Sequence, residues 1–457
     1  MSIKRPEGTH DLIKEDSRQW SSFQRCAESI FEKANYKRIE TPIFEKEELF
    51  VRGIGQATDV VNKEMFSVLS GGNLEKLKAN QNISSNSKFA LRPEGTAGVV
   101  RAAIENNLIE PDSQPTRLWY AGEMFRAERP QKGRQRQFMQ VGLECLGSSD
   151  ALLDAQAISL MMQLFKSFGI DLDKCTLHLN SMGCDKCRPA FRDAVASFLT
   201  THKNDICERC NERASLNPLR AFDCKNEKCK EIMKDAPKID EFLCQDCKAH
   251  FEEVKNLLFL ANIKFEIDLS LVRGLDYYTR TVFECTYDDG LGAQNAIGGG
   301  GRYDHLVQEL GGKDVPGLGF AVGFERCLLA KQSSKTQEKD KKRNGVFIIA
   351  LCESAKQFAN KLIMLDQFSP LSVDLDFRNR LNLQPKEETK PFGSLKSQLR
   401  LSDKLNSKIV CIIGENEMQA RCANIKFLET HDEEKLSFDI LEDKEKLKKY
   451  LGDRGVL

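Results

Sequence analysis

The chain has 457 residues, which predicts about three domains, and its hydrophobic content of 40% is enough for globular cores. Lys+Arg and Asp+Glu both number 68, so no overall charge attracts nucleic acid and any such binding needs local basic patches. No apolar run is long enough to span a bilayer, and MSIKRPEGTHDL at the amino terminus lacks an apolar targeting core, so we expect a soluble, cytoplasmic protein. In that reducing setting the 16 cysteines favour thiols or metal sites over disulfides.

The first segments combine a helix, a short strand and an insertion. Residues 15–35 carry apolar side chains at helical spacing, which predicts an amphipathic helix. The following YKRIETPIFE is typical of a strand, and Pro42 within it indicates an edge or a bend that a second subunit would cover. Residues 70–88 are polar and rich in Gly, Asn and Ser, which predicts an exposed insertion.

Residues 89–97, FALRPEGTA, predict a strand that turns into the helix AGVVRAAIENN, with Thr96 as its N-cap. Glu94 and Thr96 would then lie at a strand-to-helix corner, where their oxygens can hold an ammonium group. Ordinary turn residues explain the same pattern equally well.

Residues 117–147 predict a β-hairpin with a long basic tip, because two apolar runs flank the loop Arg129–Arg136, which contains Pro130 and Gly133. The second arm alternates with period two, and its two faces are Met139, Val141, Leu143, Cys145 and Phe138, Gln140, Gly142, Glu144. The second face would ordinarily be solvent exposed. This face instead predicts a binding surface for a small zwitterion beside a phosphate. It combines an aromatic ring, an amide and a carboxylate with Gly142, which has no side chain, and Arg126 lies at the end of the first arm.

Residues 151–168 predict an amphipathic helix, and a cysteine-rich segment follows it. Three CxxC pairs and one wider pair supply eight thiols, enough for two structural zinc sites of four cysteines each: Cys184, Cys187, Cys207, Cys210, Cys224, Cys229, Cys244 and Cys247. Small buried cysteines in a helical insertion are the alternative. The spacing does not decide which pairs join, and no His or carboxylate accompanies them as a catalytic metal site would require.

In LVRGLDYYTRTVFECTY a turn precedes the strand Thr281–Tyr287, and Arg273 lies near two tyrosines. Core and surface packing is their usual role, but beside a pocket they offer a phenol and a guanidinium. Four glycines, Gly298 to Gly301, lie within a strand-like run, where close ligand approach is one reason for them. Neither GxGxxG in a strand–helix unit nor a P-loop is present. Arg326 begins a further helix, where a cation opposes the helix dipole and an anionic or aromatic partner would explain it.

The carboxy-terminal part follows a linker, because residues 331–345 are nearly devoid of apolar side chains. Beyond it, VFIIAL, LSVDLDF and KIVCIIG alternate with helical segments, which predicts a small α/β domain. Its middle is locally basic, which suits either a solvated face or a phosphate-contacting surface: Arg378, Arg380, Lys386, Lys390, Lys396 and Arg400.

Six motifs in order resemble the histidyl-tRNA synthetases, class II aminoacyl-tRNA synthetases of bacterial type: LRPEGTA, FRAERPQKGRQRQF, QVGLE, LVRGLDYYTRTVFE, GGGGRYD and GFAVGFER. The resemblance covers nearly the whole chain. It implies an α+β catalytic domain with a central antiparallel sheet flanked by helices, a helical Cys-rich insertion and a C-terminal α/β anticodon-binding domain. The boundaries we expect are 1–172 and 263–330 for the catalytic domain, 173–262 for the insertion, 331–345 for the linker and 346–457 for the anticodon-binding domain.

The resemblance also implies the activity: histidine and ATP, with Mg2+, give histidyl-adenylate, and the histidyl group passes to the 3′ end of tRNA(His). It implies a homodimer with the Pro42 strand near its interface. The implied catalytic residues are Arg126 and Arg273. Those implied to bind histidine are Glu94, Gly95, Thr96, Arg126, Gln140, Glu144, Arg273, Tyr277 and Tyr278. Those implied to bind ATP are Arg126, Phe138, Arg273 and Arg326.

Within these sets the resemblance implies that Glu94, Thr96 and Gln140 hold the ammonium group, and that Glu144 and Tyr278 take the two imidazole nitrogens. Phe138 and Arg326 would sandwich adenine. An alternative is a catalytically silent paralogue, such as the histidine-sensing regulatory subunit of ATP-phosphoribosyltransferase. That type generally lacks the carboxy-terminal domain and the ATP-binding arginines, which are present here.

Overall fold

The structure is a computed structural model that describes residues 3–55, 58–84, 87–110, 114–292, 295–334, 343–376 and 394–457. The chain divides into two compact units, Met1–Thr336 and Gln337–Leu457. Within the described residues, no helix has both the length and the apolar character needed to cross a membrane.

An eight-stranded sheet forms the centre of the first unit. Its strands are β1 Lys37–Arg38, β5 Thr116–Phe125, β6 Gln137–Leu146, β7 Cys175–Ser181, β8 Glu266–Ile267, β9 Thr279–Tyr287, β10 Ala296–Arg302 and β11 Gly317–Gly323, in the order β1-β5-β6-β11-β10-β9-β7-β8. The inner strands are all antiparallel, as predicted, whereas the edge strands β1 and β8 pair in parallel.

The helices of this unit surround the sheet, and the predicted helices near residues 15–35 and 151–168 are confirmed as α1 and α5. Their bounds are α1 Lys14–Lys33, α2 Glu47–Ile54, α3 Gly71–Lys78, α4 Thr96–Glu105, α5 Ala151–Phe168, α6 Arg188–Thr201, α7 Glu208–Leu216, α8 Glu227–Lys234, α9 Gln245–Leu260, α10 Leu306–Glu309 and α11 Phe324–Ser334. Helix α3 has no buried residue, which fits the predicted exposed insertion.

The predicted YKRIETPIFE strand is wrong as a single element. Lys37–Arg38 pairs with β5 at the edge of the large sheet, whereas β2, Phe44–Lys46, belongs to a small sheet with β3, Ser67–Val68, and β4, Phe89–Leu91. Pro42 lies between the two strands, where the absence of an N–H group costs no ladder hydrogen bond.

Helices α1 and α5 cover one face of the large sheet with an aromatic core. The rings of Phe23 and Phe168 lie 4.7 Å apart, and those of Trp20 and Phe324 lie 5.1 Å apart. Met139, Val141 and other odd-numbered residues of β6 join this core. Gln140 therefore points to the opposite face, because side chains alternate along a strand.

The predicted hairpin is confirmed as β5 and β6, which pair from Thr116 opposite Leu146 to Phe125 opposite Gln137. The proposed role of Gly142 is wrong. A Cβ at this position would lie 2.4 Å from Tyr120 Oη and 2.7 Å from the Phe320 carbonyl oxygen. The glycine therefore makes room for a neighbouring side chain and strand rather than for a ligand.

The cysteine-rich insertion consists of helices α6 to α9. The expected segment 173–262 begins with β7, a strand of the large sheet, so its helical part follows Ser181. Helix α9 packs on α5, and its Phe251, Val254 and Leu258 belong to the core of the catalytic sheet.

The second unit is a five-stranded sheet with helices, which confirms the predicted small α/β domain. Its strands are β12 Val346–Ala350, β13 Val373–Leu375, β14 Ile409–Ile413, β15 Cys422–Phe427 and β16 Glu433–Ser437, in the order β13-β12-β14-β15-β16. Its helices are α12 Glu353–Met364, α13 Leu395–Lys404, α14 Glu415–Gln419, α15 Phe438–Leu441 and α16 Lys444–Asp453.

Two predicted features, the linker and the basic stretch of the second unit, lie partly outside the described residues. Helix α11 runs to Ser334, so residues 331–334 of the expected linker are helical, and 335–342 lie outside the described residues. Arg378, Arg380, Lys386 and Lys390 also lie outside them, whereas Lys396 and Arg400 are on α13.

Candidate active site

A cleft lies on the face of the large sheet opposite the aromatic core. Its floor comes from β6, β9, β10 and β11, and its rim comes from the start of α4, the hairpin tip and the segment before β9. The predicted residues that line it are Glu94, Thr96, Arg126, Phe138, Gln140, Arg273, Tyr277, Tyr278 and Arg326.

The start of α4 holds Glu94 in a fixed position. The Glu94 carboxylate accepts the backbone N–H groups of Thr96 at 2.7 Å and Ala97 at 2.8 Å, as favoured at a helix N-terminus. The predicted Thr96 N-cap is wrong, because Gly95 is the N-cap and Thr96 is the first helical residue. A Cβ on Gly95 would lie 2.3 Å from the Tyr120 ring, so a side chain has no room there.

Glu144 lies beneath the cleft rather than on its wall. It is fully buried, its Oε1 accepts the Thr96 hydroxyl at 2.8 Å, and its Oε2 accepts the Tyr303 hydroxyl. Burial raises the pKa of the Glu144 carboxyl well above its usual range, although the Tyr303 and Thr96 hydroxyls act in the opposite direction. Thr96 and Tyr303 both line the cleft, so each connects Glu144 to the cleft wall.

Two arginines flank the hairpin side of the cleft. The Arg126 guanidinium carbon lies 5.3 Å from the centre of the Phe138 ring, and Arg126 Nε donates to the Pro93 carbonyl oxygen at 3.0 Å. Arg326 donates to the carbonyl oxygens of Gly133 at 2.9 Å and Ala296 at 2.8 Å. Burial lowers the pKa of both guanidinium groups, which increases the gain from an anionic ligand.

Arg273 lies on the other side of the cleft and pairs with Glu284 of β9. Its guanidinium carbon lies 6.0 Å from the centre of the Tyr278 ring. A Cβ on Gly299 would lie 2.7 Å from Arg273 Nη1. This glycine of the predicted glycine-rich strand therefore makes room for a cleft arginine.

The other glycines of β10 are explained by packing between strands. A Cβ on Gly300 would lie 2.0 Å from the Gly319 carbonyl oxygen, and one on Gly298 would lie 2.5 Å from Val322. The Cβ positions of Gly298 and Gly300 are therefore taken by β11, while the prediction of close ligand approach applies to Gly298 and Gly299, which line the cleft.

Three buried polar atoms of cleft residues lack hydrogen-bond partners within the described part of the chain. One, Oε2 of Glu128, is in an ion pair with Arg134, and the other two are Oε1 of Gln140 and Nε of Arg273. A buried polar atom without a partner costs about 1–3 kcal/mol. A ligand that donates to Gln140 and accepts from Arg273 would recover that energy, as a zwitterion does.

Sequence reasoning missed several cleft residues, among them Glu128, Tyr303, Glu284 and Glu325. Glu284 lies on the strand that was predicted, and Tyr303 lies two residues after the glycine run, so both were visible as positions without an evident role. Glu325 accepts the Met139 backbone N–H at 2.9 Å, a contact between α11 and β6 that no local pattern indicates.

The eight predicted cysteines form two candidate metal centres outside the cleft. One contains Cys184, Cys187, Cys244 and Cys247, and the other contains Cys207, Cys210, Cys224 and Cys229, with the sulfurs of each group within 4.8 Å of one another. Four sulfurs around zinc at about 2.3 Å lie about 3.8 Å apart in a tetrahedron. The Cys184–Cys187 and Cys207–Cys224 sulfur distances are 3.7 and 3.8 Å. The structure thus settles the pairing that spacing left open.

The sheet is largely antiparallel, with helices behind it and a cleft in front. An acidic helix start and buried arginines surround this cleft, and together these features define the catalytic unit of a class II aminoacyl-tRNA synthetase. The family model described as histidyl-tRNA synthetase matches residues 8–327, and the chain belongs to this family.

Comparison with known proteins agrees over almost the full length. The histidine–tRNA ligase of Halothermothrix orenii is 40% identical over 448 residues, 98% of this chain and 100% of the relative. That of Clostridioides difficile is 40% identical over 450 residues, with the same coverage. The crystal structure of apo histidyl-tRNA synthetase from S. aureus has a TM-score of 0.75 at 31% identity and covers 96% of this chain and 98% of that one. This coverage favours the ligase over the regulatory paralogue.

The first prediction concerns Glu325, whose pKa burial raises from 4.5 to about 7. Between these values the folded state binds more protons than the unfolded state, so this group lowers the unfolding free energy as pH rises through that window. Glu325→Gln cannot ionise. The melting temperature of Glu325→Gln minus that of the wild type should therefore be larger at about pH 8 than at about pH 5.

The exposed Glu28→Gln on α1 is the matched control and should show no such change. A Glu325→Gln difference that is equal at both pH values would contradict the buried, proton-binding carboxyl.

Proposed function

We propose that the cleft joins histidine to ATP, releasing pyrophosphate, and then transfers the histidyl group to the 3′ end of tRNA(His). The proposal rests on one observation above all. Acceptors for an ammonium group and guanidinium groups for carboxylate and phosphate line the same cleft. A free amino acid and a nucleotide α-phosphate require this combination side by side.

The ammonium group of histidine would bind at the start of α4. Glu94, Thr96 and Gln140 provide its acceptors, and Gln140 Oε1 is one of the buried atoms without a protein partner. Gly95 supports this site through its backbone, which lets Tyr120 pack behind it. The N–H donors of Thr96 and Ala97 keep the Glu94 carboxylate aimed at the cleft.

The imidazole ring would lie between Tyr278 and Glu144, one at each ring nitrogen. Both groups are buried, so a side chain that leaves either unpaired loses binding energy. Tyr303 and Thr96 already donate to Glu144, and they orient its oxygens for an incoming N–H. Tyr277, whose ring centre lies 4.7 Å from that of Tyr278, would close the apolar side of this pocket.

The reacting groups would meet between Arg126 and Arg273. A histidine carboxylate oxygen attacks the α-phosphorus, the bond to the bridging oxygen breaks, and pyrophosphate leaves with its electron pair. The carboxylate is itself the nucleophile, so the enzyme needs only to orient the reactants and stabilise the charge that develops on the phosphate. The buried guanidinium groups of Arg126 and Arg273 supply that stabilisation.

The adenine ring would stack on Phe138, with Arg326 as its cationic partner. Arg126 lies over Phe138 in this structure, which places the phosphate-binding arginine next to the base site. Mg2+ would enter with the ATP phosphates and neutralise part of their charge. The carboxylates of Glu128 and Glu284 line the same cleft, where they pair with Arg134 and Arg273.

Each four-cysteine cluster would hold one structural zinc ion, and zinc would fix the loops between the insertion helices. The donor set is all thiolate, as in closed structural sites. Backbone N–H groups point at the sulfurs, from Cys244 to Cys187 at 3.1 Å and from Cys207 to Cys229 at 3.1 Å. Such bonds stabilise thiolates.

The second unit would bind the tRNA anticodon, and helix α13 with Lys396 and Arg400 offers phosphate contacts. We also infer a cytoplasmic homodimer. Ile43 and Phe44, which follow Pro42, are 46% and 53% exposed at an apolar edge that a second copy would cover.

The second prediction tests the activity. Among the standard amino acids, histidine should give the strongest amino-acid-dependent exchange of pyrophosphate into ATP, since only its ring pairs with both Glu144 and Tyr278. Radiolabelled pyrophosphate exchange across the full panel measures this. A stronger signal from another amino acid, or none from histidine, would defeat the proposed function.

The third prediction concerns Arg273, whose charge should act mainly as the α-phosphate becomes pentacoordinate. Arg273→Ala should lower the single-turnover rate of adenylate formation by about 100-fold or more while the histidine dissociation constant changes by about threefold or less. Rapid-quench kinetics and equilibrium dialysis measure the two quantities. The exposed Arg25→Ala on α1 is the control, and equal losses in rate and affinity would refute a transition-state role.

The fourth prediction concerns zinc. Protein purified without chelators and with its thiols protected should contain about two zinc ions per chain by elemental mass spectrometry. Cys187→Ser and Cys229→Ser should each remove one ion, because they disrupt different clusters. Cys26→Ser, outside both clusters, is the control. A wild-type zinc content near zero would dispose of both sites.

A further inference from the structure

The segment Arg273–Tyr278 carries three of the proposed ligand-binding side chains but has no regular secondary structure of its own. Within it, the Asp276 backbone N–H donates to the Ile54 carbonyl oxygen at 3.2 Å. A Cβ on Gly274 would meet no heavy atom within 4 Å, so this part of the segment is open. Its conformation therefore depends on side chains that reach it from elsewhere.

Arg188, at the start of α6 in the insertion, holds the carbonyl end of this segment. Its Nη1 donates to the Tyr278 carbonyl oxygen at 2.9 Å, and its Nη2 donates to the Asp276 carbonyl oxygen at 3.3 Å. One planar guanidinium thereby fixes two carbonyl groups that are two residues apart, which sets the direction of the Tyr277 and Tyr278 side chains.

Arg220 and Asn217, between α7 and α8, hold the middle of the segment. Arg220 donates to Asp276 Oδ1 through Nε at 3.2 Å and Nη2 at 2.9 Å, and also to the Gly274 carbonyl oxygen at 2.7 Å. Asn217 Nδ2 donates to the same Asp276 oxygen at 3.0 Å. Arg220 is only 9% exposed, whereas the Asp276 side chain is 27% exposed, so this charge pair is partly shielded from solvent.

These contacts join the cysteine-rich insertion to the ligand-binding segment Arg273–Tyr278. Arg188 follows Cys187 of one cysteine cluster directly, and Arg220 lies between Cys210 and Cys224 of the other. Arg188 and Arg220 are therefore close in sequence to the two cysteine clusters. A structural insertion needs no contact with a ligand-binding segment, yet this one makes six hydrogen bonds to it, three to backbone carbonyl oxygens and three to the Asp276 carboxylate.

We propose that Arg188, Asn217 and Arg220, together with Asp276, form an insertion clamp that positions Arg273 and Tyr278 for histidine. The inference rests on the proposed function and assigns these four as positioning residues, since none of them lines the cleft. The clamp acts on the amino-acid side of the cleft. On the nucleotide side, Arg126 donates to the Pro93 carbonyl oxygen before α4, and Arg326 donates to the Gly133 carbonyl oxygen in the hairpin tip, so these two bonds do not involve the insertion.

The fifth prediction follows from this division. In histidine-dependent pyrophosphate exchange, Arg220→Ala should raise the KM for histidine by about tenfold or more and lower kcat by a similar factor, while the KM for ATP changes by about threefold or less. Arg220→Lys restores one charged contact and should fall between. Asp276→Ala should give the same pattern, and the loss in the double variant should be smaller than the sum of the two single losses, because the Arg220–Asp276 pair is removed by either substitution.

A second readout follows the segment itself. Hydrogen–deuterium exchange of peptides covering residues 271–280 should rise in Arg220→Ala and Asp276→Ala, with thermal unfolding of the protein nearly unchanged. Lys228→Ala is the matched control, because Lys228 pairs with Asp205 on the exposed surface of the same insertion. It should change neither the exchange of this segment nor either KM.

The outcomes are separable. Wild-type protein without histidine-dependent exchange would refute the proposed function. An active wild type with unaltered Arg220→Ala kinetics, or with equal losses for histidine and ATP, would refute the clamp. If Arg220→Ala does not fold, Asp276→Ala decides by the same two criteria, because it removes the acceptor of both Arg220 and Asn217. A selective histidine defect supports the clamp, and its absence overturns it.

Discussion

The continuous hydrogen-bonded ladder from β6 through β11 and β10 to β9 sets the distances among the groups of the cleft. Gln140 lies opposite Gly323, and Glu144 lies opposite Gly319, so β11 contributes backbone where β6 contributes functional side chains. Glu284 lies opposite Gly299 in the same way. Each of these three side chains thus lies opposite a glycine on the neighbouring strand. The glycines leave space on the sheet for ligands and for Arg273.

Burial determines how the acidic groups in and below this floor behave. Glu94 and Glu144 both lie out of solvent, and burial raises the pKa of each carboxyl. Glu94 is surrounded by backbone donors, whereas Glu144 is surrounded by hydroxyl groups. The N–H donors at a helix start are fixed, which suits the cation-binding role proposed for Glu94. The hydroxyl protons around Glu144 can reorient. The two carboxylates are therefore suited to different ends of one amino acid.

Local pattern predicted the parts of this protein whose cause is local. Period-two alternation identified the β5–β6 hairpin, CxxC spacing identified the eight clustered thiols, and apolar strands between helices identified the second unit. The depth of Glu144 was not predictable, because α4 and β10 bury it from distant parts of the chain. The role of Gly142 was not predictable for the same reason, because this glycine leaves room for the Tyr120 side chain on the neighbouring strand. Strands β15 and β16 were not predicted. Burial alternates along β15, but the polar residues between the apolar ones make the strand pattern hard to detect in the sequence.

The approach of β10 to β11 at Gly300 and Gly319 has a consequence for how this enzyme can diverge. A methyl group at Gly300 would meet the neighbouring carbonyl oxygen at 2.0 Å, and one at Gly319 would meet a Glu144 oxygen at 1.8 Å. Any side chain at these two positions would push β10, β11 and β6 apart, so the two glycines resist gradual substitution. In a descendant that accepts a different amino acid, we expect the change elsewhere, for example in the rim segments that bear Tyr278 and Thr96.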